Sequence, residues 1–292
     1  MATEAHSARF RDLVPEDVVV ERISDGHLFT EGPVWDARSG ALLWVDIAGD
    51  TIWRHVAGVG RSVDQLPSGK ANGLTFDRQG RLVVAGWTSR CVWRRSRDGS
   101  IERLVTYHDG VRIGTPNDIV VKSDGAIYWT DGTSGTRHPG FETAEDLQVY
   151  RQESVVMRLD PLTGETAIAT TEAGSCNGLA FSPNESILYV NDSSARVINA
   201  FEVRRDGSLG PARPFAERTG SATKVDRGGN VFCTGGPGVQ VFDPAGRLLG
   251  GIAVPEKGSN LAWGDADWRT LFVTAGTSVY RVRLTTQGLP VG

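Results

Sequence analysis

The chain has 292 residues, a formal net charge of −4 and no dense cluster of basic residues, which argues against a nucleic-acid partner. No apolar run approaches the ~20 residues that a membrane-spanning helix requires, so no membrane partner is expected. The first 17 residues lack the uninterrupted apolar core of a secretory signal. We therefore expect a cytoplasmic protein.

Residues 1–16 are predicted to be an N-terminal extension, followed by a single domain over residues 17–292. Residues 17–23, with the sequence DVVVERI, have the composition of a strand and precede a series of repeats. A ring of sheets must pair its two ends, because an open edge exposes unpaired backbone groups. We therefore predict that residues 17–23 form the outer strand of the last sheet, which contains residues 259–284.

Six stretches of the chain share one pattern: a polar or glycine pair, an alternating apolar segment, a short turn and a second apolar strand. Their first residues lie 41, 45, 60, 44 and 38 positions apart, and such periods without helical patterning are typical of propeller blades. The sequence therefore predicts an all-β fold, a six-bladed β-propeller with a central channel. The stretches are EGPVWDARSGALLWVD, NGLTFDRQGRLVVAG, NDIVVKSDGAIYWTD, NGLAFSPNESILYVND, SATKVDRGGNVFCTG and SNLAWGDADWRTLFVTA.

The first residue of each stretch occupies an equivalent position at the start of a predicted inner strand. We call these residues the polar column, and they are Glu31, Asn72, Asn117, Asn177, Ser221 and Ser259. Equivalent strand starts converge on the axis of a propeller, so the column predicts a ligand site there. For Ser259, hydrogen bonding to backbone groups around the channel is the expected role.

An insertion of about 20 residues, near positions 132–152, explains the longest spacing, and long loops in compact β folds are usually functional or disordered. Two interpretations have equal weight: the loop covers one mouth of the channel, or it extends into solvent. His138 in this loop is a candidate substrate-contacting residue, and Arg137 and Asp131 are weaker candidates.

Two recurrent residue types are expected to be structural. Asp46, Asp131 and Asp192 each end a second-strand pattern, where an aspartate commonly accepts hydrogen bonds from a turn. An odd number of cysteines argues against a disulfide framework and favours small buried thiols. The cysteines are Cys91, Cys176 and Cys233.

The repeat phrases resemble the regucalcin/gluconolactonase family, which includes senescence marker protein and luciferin-regenerating enzyme. The resemblance covers roughly residues 17–285 and implies a six-bladed propeller that holds one divalent cation and hydrolyses sugar lactones. The cation is most often Ca²⁺, with Zn²⁺, Mn²⁺, Mg²⁺ or Fe²⁺ in some members. The phrases are EGPVW at 31–35, NGLTFDRQGRL at 72–82, PNDIVVKSDGAIYWTD at 116–131, NGLAFSPNESILYVND at 177–192 and, more weakly, SNLAWG at 259–264.

The resemblance also implies roles for individual residues. Glu31 and Asn177 match metal ligands of the family, and Asn117 matches a residue that contacts metal or substrate. Asn72 matches a position expected either to contact substrate or to support the metal ligands from behind. Carboxylate and amide oxygens together suit a hard cation such as Ca²⁺. The predicted metal ligands are therefore Glu31, Asn117 and Asn177.

Two departures from the family pattern affect the expected chemistry. The fifth repeat reads GSATKVD, so Ser221 stands where the family has an aspartate that serves as ligand and general base. We expect this change to weaken metal binding or to abolish it, because a hydroxyl is a poorer ligand than a carboxylate. Trp87 stands where related lactonases have a histidine, and it predicts a pocket wall that favours an apolar or flat substrate.

The leading functional prediction is a lactonase-like hydrolase that opens a lactone or related cyclic ester on a small-molecule substrate. The candidate catalytic residues are Glu31, Asn117 and Ser221, and the candidate substrate-contacting residues are Asn72, Trp87, Asn117 and His138. Two alternatives stay open. The scaffold either performs altered chemistry, such as an isomerising, ring-opening or cyclising step, or binds a ligand without turnover.

Overall fold

The computed structural model describes residues 3–133, 153–217, 219–236 and 238–291. Across this part of the chain, six antiparallel sheets follow one another as the blades of a propeller. The predicted all-β, six-bladed β-propeller is therefore confirmed. The described residues contain no helix with the length and apolar character needed to cross a membrane.

The N-terminal residues supply the outermost strands of the last two blades. β1 (Thr3–Ala5) pairs with β24 (Leu248–Ala253) of the fifth blade, and α1 (Ala8–Leu13) follows it. β2 (Val20–Ser24) pairs antiparallel with β27 (Ser278–Arg283) of the sixth blade. The predicted pairing of the segment before the first repeat with the last blade is confirmed.

Blades 1 to 3 each contain four strands, which follow one another in the described part of the chain. Blade 1 consists of β3 (Thr30–Asp36), β4 (Ala41–Asp46), β5 (Thr51–Val56) and β6 (Gly60–Gln65). Blade 2 consists of β7 (Ala71–Phe76), β8 (Leu82–Gly86), β9 (Cys91–Arg95) and β10 (Ile101–Val105). A two-stranded ribbon follows, made of β11 (Tyr107–His108) and β12 (Val111–Arg112). Blade 3 consists of β13 (Thr115–Val121), β14 (Ile127–Gly132), β15 (Val155–Leu159) and β16 (Thr166–Thr170).

Blades 4 to 6 complete the ring. Blade 4 consists of β17 (Cys176–Phe181), β18 (Ile187–Asp192), β19 (Val197–Glu202) and β20 (Arg213–Glu217). Blade 5 consists of β21 (Thr223–Val225), β22 (Val231–Gly235), β23 (Gly238–Phe242), β24 and β1. Blade 6 consists of β25 (Gly258–Gly264), β26 (Thr270–Ala275), β27 and β2.

Apolar side chains fill the interfaces between adjacent blades. Between blades 1 and 2, for example, Val34 and Leu43 pack in one cluster with Leu74, and Phe76 packs against the same cluster. Leu74 and Phe76 therefore share a face, as alternation along a strand requires. The three cysteines are buried and form no disulfide, which confirms the expectation of small buried thiols.

The inner strands of blades 1 to 4 each contain a β-bulge near the column residue. In blade 1 the bulge comes directly after the column residue, and in blades 2 to 4 it includes that residue. The register shifts between Glu31 and Val34 in β3, and equivalent shifts occur in β7, β13 and β17. A bulge inserts an extra residue and changes the direction of nearby side chains. Gly32 is required at the first bulge, because its φ is +49° and a Cβ there would lie 1.9 Å from the Asn72 carbonyl oxygen.

Candidate functional site

All six residues of the polar column line one cavity at the axis of the propeller. The cavity has a volume of about 430 Å³, which suits a small-molecule ligand. The fold thus brings together residues that lie far apart in the sequence. We call this space the column cavity, and its lining residues are Phe29, Glu31, Ile47, Ala48, Asn72, Trp87, Asn117, Asn177, Ser221, Lys257, Gly258, Ser259 and Gly276.

Glu31 is a buried carboxyl group, with 7% of the residue exposed. Its Oε2 atom accepts a hydrogen bond from the backbone N–H of Gly32 at 3.0 Å. Burial raises the pKa of Glu31 to about 7, although the Gly32 N–H and the Asn260 side chain favour its charged form. A cation in the column cavity would also favour the charged form.

The amide residues of the column present further oxygen atoms to the same space. Asn72 is 4% exposed, and its buried Oδ1 atom has no hydrogen-bond partner among the described residues. A buried acceptor without a partner is costly, so this atom is well placed to accept a hydrogen bond from a ligand or to bind a cation. Asn117 and Asn177 line the cavity with it.

The donor set fits a hard divalent cation. Glu31, Asn117 and Asn177 offer carboxylate and amide oxygens, and the unpartnered Asn72 Oδ1 adds another oxygen to the wall. Ca²⁺ accepts such mixed oxygen ligands together with water. The described residues contain no group of three or more His, Cys, Asp or Glu side chains arranged for a metal, so nitrogen and sulfur ligation of the zinc type has no support in them.

Ser221 lines the cavity, but its hydroxyl is already engaged. The Oγ atom donates to the Ser259 carbonyl oxygen at 3.1 Å, and the nearest other partner is the Thr234 hydroxyl at 3.5 Å. A serine nucleophile needs a base that removes its proton, and no histidine or carboxylate within the described residues contacts Ser221. The geometry therefore favours a wall or weak ligand role over a nucleophile.

Ser259 has the structural role that we expected for it. Its Oγ atom lies 2.6 Å from the Thr30 carbonyl oxygen in blade 1 and 2.9 Å from the Thr274 carbonyl oxygen in blade 6. The side chain thus ties the sixth blade to the first at the edge of the column cavity. Ser259 is only 6% exposed, so little of it is available to a ligand.

The walls of the column cavity are largely apolar. Trp87, which the sequence analysis predicted to be a wall of the pocket, lines the cavity. Phe29 and Ile47 line it as well. Apolar walls around a few polar groups are common in small-molecule sites. The candidates His138 and Arg137, and most of the predicted covering loop, lie outside the described residues.

The recurrent aspartates have the structural role that their pattern predicted. Asp46 accepts hydrogen bonds from the N–H groups of Leu28, Phe29 and Gly49. Asp131 accepts from the Gly114 N–H at 2.7 Å. Asp192 likewise accepts from several turn N–H groups, those of Ser175, Ser194 and Ala195. None of the three aspartates is among the described residues lining the column cavity.

The buried Asp118 carboxylate and the partly buried Lys224 ammonium form an ion pair that connects blade 3 with blade 5. The Asp118 Oδ2 atom lies 3.0 Å from the Lys224 Nζ atom and also accepts from the Leu179 N–H of blade 4 at 3.3 Å. Strand alternation predicts that Asp118 turns away from Asn117, and it is absent from the described lining of the column cavity. Asp118 is nevertheless buried, and it lies within the register shift of β13 between Pro116 and Ile119.

A second cavity occupies the opposite end of the channel. Its volume is about 220 Å³, and Lys224 is part of its lining. Lys224 of the Asp118–Lys224 pair therefore borders this second cavity, whereas neither partner is among the described residues lining the column cavity. The residues three positions after each column residue line this second cavity, and they are Val34, Thr75, Val120, Ala180, Lys224 and Ala262.

Sequence reasoning missed several residues of the column cavity, most notably Phe29 and Lys257. Each lies two positions before a column residue, Glu31 and Ser259 respectively. Alternate residues of a strand point to the same side, so this spacing was the available signal. Ile47 and Ala48 come from the connection after β4, and no repeat pattern marked them.

The fold and the site together define a six-bladed propeller whose central cavity has largely apolar walls and a small set of carboxyl, amide and hydroxyl groups. A family model described as "SMP-30/Gluconolactonase/LRE-like region" matches residues 29–277. The chain belongs to this family, and the predicted resemblance is confirmed.

Individual relatives agree with this assignment. The chain is 26% identical to a gluconolactonase from Zymomonas mobilis, over 97% of this chain and 86% of that protein. It is 28% identical to an L-arabinolactonase from Azospirillum brasilense, over 84% of this chain and 80% of the relative. A solved gluconolactonase structure from Xanthomonas campestris has a TM-score of 0.90 at 32% identity, with 97% of this chain and 95% of that chain covered.

Proposed function

We propose that this protein is a hydrolase that opens sugar lactones in the column cavity. The observation that carries the proposal is the convergence of Glu31, Asn117 and Asn177 on one cavity of about 430 Å³. Relatives that span most of the chain are named as lactonases, which agrees with the predicted class of lactonase-like hydrolases. The substrate is a small molecule, and we expect a cytoplasmic protein.

The proposed cofactor is one divalent cation, with Ca²⁺ favoured over Zn²⁺, Mn²⁺, Mg²⁺ and Fe²⁺. Glu31, Asn117 and Asn177 would hold it, and all three line the same cavity. When bound, such a cation polarises a carbonyl group and stabilises developing negative charge. Ca²⁺ is favoured among the candidates because the three ligands offer only oxygen atoms and because Ca²⁺ accepts a flexible coordination geometry.

The residues of this chain have distinct proposed roles in hydrolysis. Water adds to the lactone carbonyl carbon, the ring C–O bond breaks, and the ring oxygen takes a proton to give a hydroxy acid. Asn117 and Asn72 would orient the ester by hydrogen bonding, while Trp87 and Phe29 hold the ring and exclude water. Among the described residues that line the cavity, Glu31 is the acidic one. It is therefore the candidate for proton transfer.

A panel of sugar lactones tests the proposal. The protein is stripped with a chelator, and hydrolysis is then followed with Ca²⁺, Mn²⁺, Zn²⁺, Mg²⁺ or Fe²⁺ added singly. We expect turnover of at least one lactone that depends on an added cation. A complete lack of turnover with every cation would reject the hydrolase and leave the binding propeller as the better explanation.

The chemistry of Ser221 provides a separate expected result. Ser221→Asp adds a carboxylate to the column cavity, so the affinity for Ca²⁺ should rise by about tenfold or more. Calorimetric titration of Ca²⁺ into the stripped wild-type and variant proteins measures this change independently of any activity. Ser194→Asp, on an exposed turn, is the matched control and should not alter the affinity.

The same variant separates lactone hydrolysis from altered chemistry on this scaffold. If Ser221 only weakens a lactonase, lactone turnover should rise with the affinity for Ca²⁺. If lactone turnover rises while a different native activity falls, Ser221 is a functional switch, and the alternative of an isomerising, ring-opening or cyclising enzyme gains support. Unchanged Ca²⁺ affinity would contradict the proposed position of the cation.

A further inference from the structure

Lys257 lies at the rim of the column cavity on a firmly held segment. It is exposed and precedes Gly258, the first residue of β25. Two residues later, Ser259 fixes the strand to Thr30 and Thr274 through its hydroxyl group. The backbone beneath Lys257 is therefore held in place, while its four-carbon side chain is long enough to move over the opening.

The charge of Lys257 is available to a ligand. The neighbouring Glu256 carboxylate is occupied by the Thr277 N–H at 2.7 Å, the Thr277 hydroxyl at 3.0 Å and the Tyr280 hydroxyl at 2.9 Å. Within the described ranges, Lys257 itself forms no ion pair. Lys70, by contrast, donates from Nζ to the Ala48 carbonyl oxygen at 3.0 Å. Lys257 is thus the cation among the described lining residues of the column cavity.

The lining of the column cavity indicates how a lactone would lie in it. The ester belongs near Glu31, Asn117 and Asn177, with the ring against Trp87 and Phe29. The substituent most remote from the ester would then point towards the opening of the cavity, where the exposed Lys257 lies. An ammonium group is a compact charge that binds carboxylate, phosphate or sulfonate through charge-assisted hydrogen bonds.

We infer that Lys257 is a specificity-determining residue and that the substrate is a lactone with an anionic group on the carbon remote from the ester. This inference rests on the proposed lactone hydrolysis and adds the substrate class to it. Because Lys257 is exposed, the selectivity should be modest and should weaken as the salt concentration rises.

Two lactones that differ at a single position test the inference. Glucono-δ-lactone carries a hydroxyl on its remote carbon, and 6-phosphoglucono-δ-lactone carries a phosphate there. We expect the wild-type protein to prefer the phosphorylated lactone in kcat/KM at low ionic strength. Lys257→Met should lower that preference about fivefold, as expected for an exposed charge pair. Lys257→Arg should retain most of it, since the charge is kept.

Lys122→Met is the matched control, because Lys122 pairs with Asp124 at 2.7 Å and is not part of the described lining of the column cavity. It should leave the preference unchanged. If the wild-type protein hydrolyses both lactones and Lys257→Met does not change their ratio, the inference is wrong, although the hydrolase stands. A phosphate bound deep in the cavity, away from Lys257, would give that same result.

Binding of the open-chain products keeps the inference testable without turnover. Calorimetry compares gluconate with 6-phosphogluconate on the wild-type protein and on Lys257→Met. Tighter binding of 6-phosphogluconate that Lys257→Met removes would support the role of Lys257, even if no lactone is hydrolysed. In that case the proposed lactone hydrolysis would be rejected, but the role of Lys257 in binding the anionic group would be kept. Equal binding of the two acids to both proteins would overturn the role of Lys257.

Discussion

Glu31→Gln should lower kcat/KM for lactone hydrolysis by roughly 1,000-fold, because the cavity then loses its charged oxygen and its candidate for proton transfer. The substitution is nearly isosteric, and the amide oxygen of Gln can still accept the hydrogen bond from the Gly32 N–H. The fold should therefore survive. Ca²⁺ affinity should fall with activity, since the remaining amide ligands carry no charge.

Three measurements check this expectation on the same protein samples. Initial rates of lactone hydrolysis give kcat/KM, calorimetry gives the affinity for Ca²⁺, and circular dichroism reports whether the strands are retained. Glu165→Gln is the matched control, because Glu165 is exposed in the turn between β15 and β16 and lies outside the described lining of the cavity. Equal turnover by wild-type protein and Glu31→Gln would remove the proposed active site.

Lys224→Met should lower the free energy of unfolding by about 3 kcal/mol, since it leaves the buried Asp118 carboxylate without its cation. The Asp118 side chain is 3% exposed, and the Lys224 side chain is 19% exposed. Hydrogen bonds from the N–H groups of Ile119 and Leu179 stabilise the carboxylate only in part. The methionine can fill the space of the lysine stem, so the loss comes mainly from the charge.

Urea unfolding at neutral pH measures the effect. The double variant Asp118→Asn/Lys224→Met should recover part of the loss, because an amide is less costly to bury than an unpaired carboxylate. Lys122→Met removes the partner of Asp124, whose side chain is 54% exposed, and should cost less than about 1 kcal/mol. If Lys224→Met has the same urea midpoint of unfolding as the wild-type protein, the ion pair does not contribute to the stability of the fold.

The polar column was predictable because repetition fixes geometry. Aligned repeats place their first residues at equivalent strand starts, so Glu31, Asn117 and Asn177 had to meet once six blades closed into a ring. The pairing of β2 with the last blade followed from the need to satisfy a sheet edge. The division at residue 16 stays a prediction, although β1 already joins blade 5.

The Asp118–Lys224 pair was beyond the reach of sequence reasoning. Its partners are 106 positions apart, and no local pattern connects them. The bulge between Pro116 and Ile119 also breaks the alternation from which side-chain directions are inferred. Lys257 was missed for a different reason, since a single exposed lysine usually has no function. Its spacing of two residues from Ser259 was the available signal, and its place on the cavity rim shows why that spacing matters.

The pairing of β2 with β27 has a consequence for synthesis on the ribosome. Val20 lies opposite Val282, so the early strand finds its partner only after nearly the whole polypeptide has been translated. Translation proceeds at roughly 5–20 residues per second, which leaves this segment waiting for about ten seconds or more. During that interval the nascent chain exposes the edge of an unfinished ring, and a chaperone that shields strands would find its target there.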